Sequence, residues 1–468
     1  QMLTRDHAAS IFDKLRKLIT ADEIELLISG GRSALTRFAN NTIHQNVAEE
    51  ENHISVRVSF GGRTARATTN KHDEDSLRRV VQSAEALARV QQDDPDLLPM
   101  PTSQEVQQNA KDAGASSVRR YFDSTARLTA GDRAAAVAQM VERARKHSLT
   151  AAGICSTAES AEGIFNSRGV ADWYEQTLAE VSITMIGDTS SGWQKANSPD
   201  VNLLDPAGLA EIAAQKAIAS RNPADLPPGK YTVILEPAAV LDAVGFMFWD
   251  FGGSALLEQR SFLNGRIGTQ LFGENITVWD DAYHPLQTGL PFDGEGMKRH
   301  RLKLIDKGVV QRVTFARSSA ARMARSQLAG NVGIVTPTGH GFALPNEMGE
   351  APLNIVFEVP ESAERNTVEQ MIAGTERGIL VTRLWYIREV DPYEKILTGM
   401  TRDGTFLVED GEIRGGVRNF RFNESLIHML QNVESVSKPL RSSGEESMDM
   451  VVPAMKVREF NFTETTKF

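Results

Sequence analysis

Nine histidines, one cysteine and a scatter of carboxylates are the side chains that could do chemistry in this 468-residue chain. The histidines stand at 7, 44, 53, 72, 147, 284, 300, 340 and 428. No two have the spacing of three or four residues that puts a metal-binding pair on one helical face. Cys155 is the single thiol, which excludes an intramolecular disulfide and a thiolate-rich zinc site, and fits a reducing cytoplasm. No serine sits in a G-x-S-x-G turn, so a nucleophile elbow is absent.

Four residues remain as candidates for a substrate cleft. Asp293 and Glu295 would share one face on a strand, but Gly294 and Gly296 favour a turn with solvated carboxylates. His340, in Thr338-Gly339-His340-Gly341, reads as a loop histidine, either simply at the surface or facing a cleft. Arg402 could grip a peptide carboxylate through two parallel hydrogen bonds, or pair with a neighbouring acid.

A net charge of -10 argues against nucleic-acid binding through bulk electrostatics, which needs a basic surface. With 41% hydrophobic and 24% charged residues, the chain reads as a soluble globular protein of two or three domains. Its most apolar stretch, residues 231–258, carries Glu236, Asp242, Asp250 and Glu258 and cannot cross a bilayer cheaply. The start, Gln1 to Asp6, lacks the pattern of a signal peptide, and Met2 reads as the natural first residue.

The elements that must position these residues follow from periodicity. Ile11, Leu15 and Leu18 share a face of a first helix, Asp6 to Leu18. Ile54, Val56, Val58 and Phe60 alternate up to Gly61-Gly62, and alternation resumes through Thr68, a hairpin whose turn asks for two positive-φ residues. Asp75 is read as the cap of a helix striped by Leu77, Val80, Val81, Ala84, Leu87 and Ala88. Residues 92–118, rich in Asp, Pro, Gln and Ser, read as a long surface excursion. A helix is expected over 130–148, then strands near 151–158, 164–170 and 173–186, with a turn at Asn166-Ser167-Arg168-Gly169. Asp205-Pro206 is a helix start, running to about Ser220.

Asn222 to Gly229 contains three prolines and a glycine in eight residues and stops regular structure of both kinds. It divides an N-terminal alpha/beta domain, 1–222, from a mainly antiparallel beta, barrel-like domain, 230–468, so the fold class is α+β. Beyond it come a buried strand at Tyr231 to Leu235, a helix starting at Pro237, and short alternating runs. These runs are Arg301 to Ile305, Val309 to Phe315, Asn354 to Val359, Gly378 to Leu384, Thr405 to Glu409 and Met455 to Asn461.

Several blocks then recur in a familiar order. They are Leu35 to Asn46, Val56-Arg57-Val58, Asn166 to Gly169, Leu226 to Tyr231, Gly289 to Gly296, Gly378 to Thr382 and Thr398 through Asp403-Gly404 to Glu412. In these the chain resembles the TldD/PmbA family, whose active members are zinc peptidases with an HExxxH helix. The resemblance implies a two-domain fold and a dimer in which TldD-like subunits carry the metal and TldE-like (PmbA-like) subunits do not. It also implies a role in peptide degradation or peptide-antibiotic maturation, with an older label of DNA gyrase modulator.

In the corresponding helix, Val240 to Asp250, Gly245 stands at the first zinc histidine, Phe246 at the catalytic glutamate and Asp250 near the second histidine. The stretch matching the family's cysteine ligand, Pro439 to Gly444, has no cysteine. A hydrolytic zinc needs about three protein ligands and a nearby base, and glycine and phenylalanine supply neither. The implied reading is a metal-free subunit without cofactor, zinc belonging only to a TldD-like partner, with a peptide or unfolded protein as substrate. The alternative is an autonomous hydrolase, possibly homodimeric, built from Asp250, Asp293, Glu295 and His340. Phe246, Phe248, Trp249 and Phe251 crowd this helix and read as core, or else as filler of the metal space or a press on a partner.

Overall fold

The computed structural model describes residues 2–467, and Gln1 and Phe468 lie outside them. A six-stranded antiparallel sheet comes first, in the order β3-β2-β1-β4-β5-β6. Its strands are β1 (Glu23–Ala39), β2 (Thr42–Phe60), β3 (Arg63–Thr69), β4 (Thr150–Asn166), β5 (Ala171–Ile186) and β6 (Ser191–Ser198). β4 is one unbroken strand where the alternation suggests two, because its small residues Gly153, Ser156, Ala158 and Ser160 hide the pattern while every one pairs with β5. Of the glycines at the 61–62 turn only Gly61 has positive φ, at 57°.

Helices cover one face of this sheet. α1 (Arg5–Leu18) and α2 (Glu74–Arg89) bury Ile11, Leu15, Leu77, Val81 and Ala84 against Ile24, Leu26, Ile28, Val56 and Val58. The cap of α2 is Asp73 rather than Asp75, with Oδ1 accepting the Ser76 N–H at 2.9 Å. The strap 92–118 contains α3 (Ser103–Ala110), and the short α4 (Asp123–Ala126) follows. α5 (Ala130–Lys146) and α6 (Pro206–Ala219) then pack on Phe38, Ala151, Cys155, Val181 and Ile183. Asp205 caps α6 through the Gly208 N–H, with Pro206 in its first turn, as the dipeptide implies. Cys155 is buried there, and burial pushes its thiol up, away from the reactive thiolate.

The second half holds a six-stranded sheet, β10-β9-β8-β11-β18-β17, and a closed barrel. Its strands run from β7 (Gly229–Leu235) through β8 (Thr277–Asp280), β9 (Leu302–Asp306), β10 (Val309–Val310) and β11 (Ile355–Glu358) to β12 (Arg377–Asp391). There follow β13 (Ile396–Glu409), β14 (Glu412–Gly416), β15 (Phe420–Ser425), β16 (Val433–Val436), β17 (Leu440–Ser442), β18 (Met450–Val452) and β19 (Met455–Thr465). The order β12-β7-β19-β15-β13 closes through β12–β13 pairing, and only β7 and β12 run parallel within it. The run Val309 to Phe315 keeps just two residues of strand. α7 (Pro237–Phe248) leaves β7 directly and is apolar nearly all round, the pattern of a helix enclosed on all sides. Val240, Leu241, Val244, Met247 and Phe248 are inaccessible to solvent.

Charges are buried where the halves meet. Glu25 on β1 accepts from Arg57 at 3.1 Å and Arg66 at 2.6 Å, and Arg66 Nε donates to Leu344 O at 2.7 Å. Burial pushes the Glu25 carboxyl up, but the two guanidinium groups outweigh it and hold the group below its usual range. The 92–118 strap is not a loose excursion but part of this seam. Met100 and Ala113 are fully buried, Asn109 donates to Pro337 O at 3.0 Å, and Glu105 pairs with Arg317 at 2.8 Å. Its polar side chains, which make it look solvated, are the ones that bind it to the second half.

Arg57→Ala is expected to lower stability by about 3–5 kcal/mol, because Glu25 would lose half of its buried compensation. Chemical denaturation should show it as an earlier midpoint; a change below about 1 kcal/mol, the scale of an exposed pair, would contradict this account of the seam.

Candidate functional site

The helix that carries the altered positions ends in the cleft. Gly245 faces the loop between β17 and β18: a Cβ placed there would stand 2.5 Å from Ser447 Cβ and closer still to its hydroxyl. Any larger residue must therefore displace that loop. Phe246, Trp249, Asp250, Glu389, Lys395, Glu445, Glu446 and Met448 surround a cavity of about 720 Å³ beside it.

Asp250 is already committed. Its Oδ2 accepts the Phe262 N–H at 3.0 Å and lies 2.9 Å from Lys395 Nζ. The ammonium of Lys395 also meets Glu389 at 2.9 Å and lies 5.3 Å from the centre of the Phe262 ring. Lys395 is 2% exposed, a lysine tolerated at that depth because two carboxylates and an aromatic face surround it. It had no signal in the sequence, where it is one charge in the turn Asp391-Pro392-Tyr393-Glu394-Lys395.

The aromatic residues of this region divide. Phe248 and Phe251 are core: their ring centres lie 5.5 Å apart, and Phe251 meets Phe262 in a T-shaped contact. Trp249 is 43% exposed and stacks on Phe342, with Phe246 beside it at the cavity wall.

One turn earlier on α7, Asp242 is buried with its Oδ1 accepting the Glu446 N–H at 3.1 Å and its Oδ2 without a hydrogen-bond partner. Burial pushes this carboxyl up to about 7, against the pull of the backbone N–H groups of Glu446 and Glu445 and of Arg383. Nothing in the sequence distinguished it from the other acids of the 231–258 stretch.

The remaining candidates lie elsewhere. Asp293 and Glu295 do sit in a turn, but a buried one. Asp293 Oδ1 accepts from Glu295 N and Met297 N, and Oδ2 from Gly341 N at 2.9 Å, so the carboxylate ties its own loop to that of His340. Glu295 is paired with Arg317 at 2.9 Å. Burial pushes both carboxyls up, while Arg299 and Arg317 respectively pull them down.

His340, read as a surface or cleft-facing residue, is 1% exposed. Its Nε2 lies 2.7 Å from Asp280 Oδ1 and its Nδ1 2.9 Å from Thr338 Oγ1. Burial raises Asp280, but contact with His340 and the Asn354 N–H brings it below the usual range. These three residues form one structural seam.

Arg402 is apart from them, stacked over Trp385 at 3.9 Å and 3.6 Å from Asp403. It lines an open cleft of about 1030 Å³ with Ser191, Trp385, Thr401 and Arg418, so both of its sequence readings have a basis. Among the described residues, no group of three or more His, Cys, Asp or Glu side chains is placed to hold a metal ion.

The PmbA/TldA metallopeptidase profiles match the chain as domain 1 over residues 24–88, as the central domain over 110–221 and as the C-terminal domain over 228–464. A metalloprotease of Methanothermobacter thermautotrophicus is 20% identical over 353 residues, 70% of this chain and 72% of that one. A Haemophilus influenzae homologue of the metalloprotease PmbA is 20% identical over 459 residues, 93% and 94% of the two chains. The crystal structure of TldE from Thermococcus kodakarensis matches with a TM-score of 0.82 at 20% identity, covering 98% of this chain and 100% of that one. A Thermotoga maritima structure named for modulation of DNA gyrase matches at 0.81 and 17% identity, covering 98% and 99%. At such identities the two structures speak to the fold, while the C-terminal profile by itself spans half of the sequence. The chain belongs to the PmbA/TldD family of metallopeptidase-like proteins.

Proposed function

We propose that this chain is a metal-free, TldE-like subunit that pairs with a zinc-bearing TldD-like subunit, or with itself, and helps to shape a channel for a peptide or unfolded protein in the cytoplasm. The observation that carries the reading is the Lys395 ammonium seated between Asp250 and Glu389, beside a Gly245 pressed by Ser447. A zinc ion would need neutral imidazole or thiolate donors and an open water position. Here one donor position, Gly245, has no side chain, another, Asp250, is a carboxylate held by an ammonium, the 439–444 stretch offers no thiolate, and the position of the base is the phenyl ring of Phe246. A divalent cation brought to Asp250 would meet the charge of Lys395 within a few ångströms. The residues do not fit zinc, and no catalytic step is assigned to it.

The autonomous-hydrolase alternative draws less support. Asp250, Asp293, Glu295 and His340 each have structural partners, and Asp250 belongs to a different cluster from the other three. No helix among the described residues is long and apolar enough to cross a membrane, in keeping with a role away from the bilayer.

Elemental analysis of the purified chain after zinc loading should find close to no metal per subunit, and peptidase activity should appear only after a TldD-like subunit is added. About one tightly held zinc per chain, or chelator-sensitive activity of the chain alone, would overturn the proposal. Gly245→His should not restore binding: the imidazole forces the 443–448 loop outward at about 1–3 kcal/mol, read as a lower thermal midpoint with metal content unchanged.

A further inference from the structure

The loop joining β17 to β18 is fixed at its two ends and clasped in its middle. At the ends, Arg441 meets Asp449 at 3.2 Å and Asn197 donates to Asp449 at 2.6 Å. Between them, residues 443–448 lie across α7 with few contacts of their own. Lys195 Nζ donates to Gly444 O at 3.1 Å, Glu446 Oε1 accepts from Tyr386 N at 2.8 Å, and Met448 packs at the edge of the main core. The deepest contact is with Asp242. Gly444 comes so close that a Cβ on it would stand 2.7 Å from Asp242 Cγ, and the Glu446 N–H ends on Asp242 Oδ1. Asp242 is 1% exposed and reaches solvent only if this loop lifts.

We propose that Ser443 to Met448 is a lid over the altered helix, closed by the Asp242 carboxyl while that group is neutral and loosened when it ionises. The reason is the unpartnered Oδ2. A buried carboxylate with one oxygen unsatisfied is costly, whereas the neutral acid can remain there. The groups facing it do not cancel that cost. Arg383 on β12 attracts it but is shared with Asp403 at 3.6 Å, and Lys195 on β6 is shared with Glu180 at 3.8 Å and Glu445 at 3.7 Å. Glu446, on the lid itself, repels it. Opening the lid hydrates Asp242 and relieves both burial and the Glu446 charge. The closed state therefore holds a proton that the open state releases.

The sign follows from the raised carboxyl. In the closed state it titrates at about 7, and in the open state in the ordinary range. Closure is strongest at low pH and is lost as pH rises toward 7, and above that both states are ionised and the dependence ends. The lid forms one wall of the 720 Å³ cavity, so its state changes the shape of the cavity beside Phe246 and Trp249. This inference stands whether or not the chain binds metal.

The test is hydrogen exchange of amides 443–448 in the full chain, corrected for intrinsic exchange. The opening constant should rise up to about tenfold per pH unit between about pH 5 and 7 and level off above. Asp242→Asn keeps the acceptor oxygen and cannot ionise, so its profile should be flat. A flat wild-type profile, or the same slope in Asp242→Asn, overturns the proposal. Should that variant fail to fold, amides of β13 in the wild type decide: a slope shared with them means general loosening and refutes a local clasp, and a slope confined to 443–448 supports one.

Discussion

Two missing Cβ atoms allow the central contact of this molecule. Gly245 on α7 and Gly444 on the β17–β18 loop let a hairpin end lie directly on a helix, with Ser447 over one glycine and Asp242 under the other. α7 in turn packs against β12 of the barrel and against β17 and β18 of the second sheet. The approach therefore joins the two sheets of the second half. Close packing makes the contact sensitive, because a side chain at either position would meet the facing atoms below van der Waals distance. At Gly245 the helix offers its backbone as a surface for the loop, with Ser447 against it.

Around that contact the charges are arranged in closed sets. Glu25 with Arg57 and Arg66, Glu295 with Arg317, and Asp250 with Lys395 each place opposite charges within hydrogen-bonding distance, and Asp280 is hydrogen-bonded to the His340 ring. Such pairs add little net stability over apolar residues of similar size, but they penalise any arrangement that leaves one partner alone. Two of these sets also reach across the halves, Arg66 to the Leu344 carbonyl and Arg317 to Glu105, and the Asp250–Lys395 pair joins the end of α7 to the barrel. They work as registration devices, holding pieces of fold in one relative position. Asp242 differs from these pairs, buried with half of its carboxyl unmatched, a feature it shares with Glu350.

Much of the architecture was legible because it rests on local rules. The Asp205-Pro206 start, the 54–68 hairpin and the buried Tyr231 to Leu235 strand follow from capping, alternation and turn residues within a few positions. The ordered blocks also led to the right family. What was hidden depends on partners far along the chain. His340 looks like a loop residue until Asp280, sixty positions earlier, is seen against it. The 92–118 strap reads as solvated because its contacts, Glu105 with Arg317 and Asn109 with Pro337, are polar and lie more than two hundred residues away. Asp293 and Glu295 were placed in a turn from their glycines, but burial of a turn is a property of what lies over it. Lys395 carried no pattern at all.

The persistence of α7 needs no catalytic explanation. Nine of its twelve residues are buried, and it joins β7 to the core of the second half, so the fold requires the helix whatever its ligands. Gly245 is among the buried residues, pressed by Ser447 of the loop above. At the end of α7, Phe246 and Trp249 put aromatic rings on the wall of a cavity that also holds Glu445, Glu446 and the Lys395 cluster. Exposed aromatic residues beside fixed charges favour contact with another polypeptide over contact with water. The loop above α7 and these two rings together set the shape of that cavity wall.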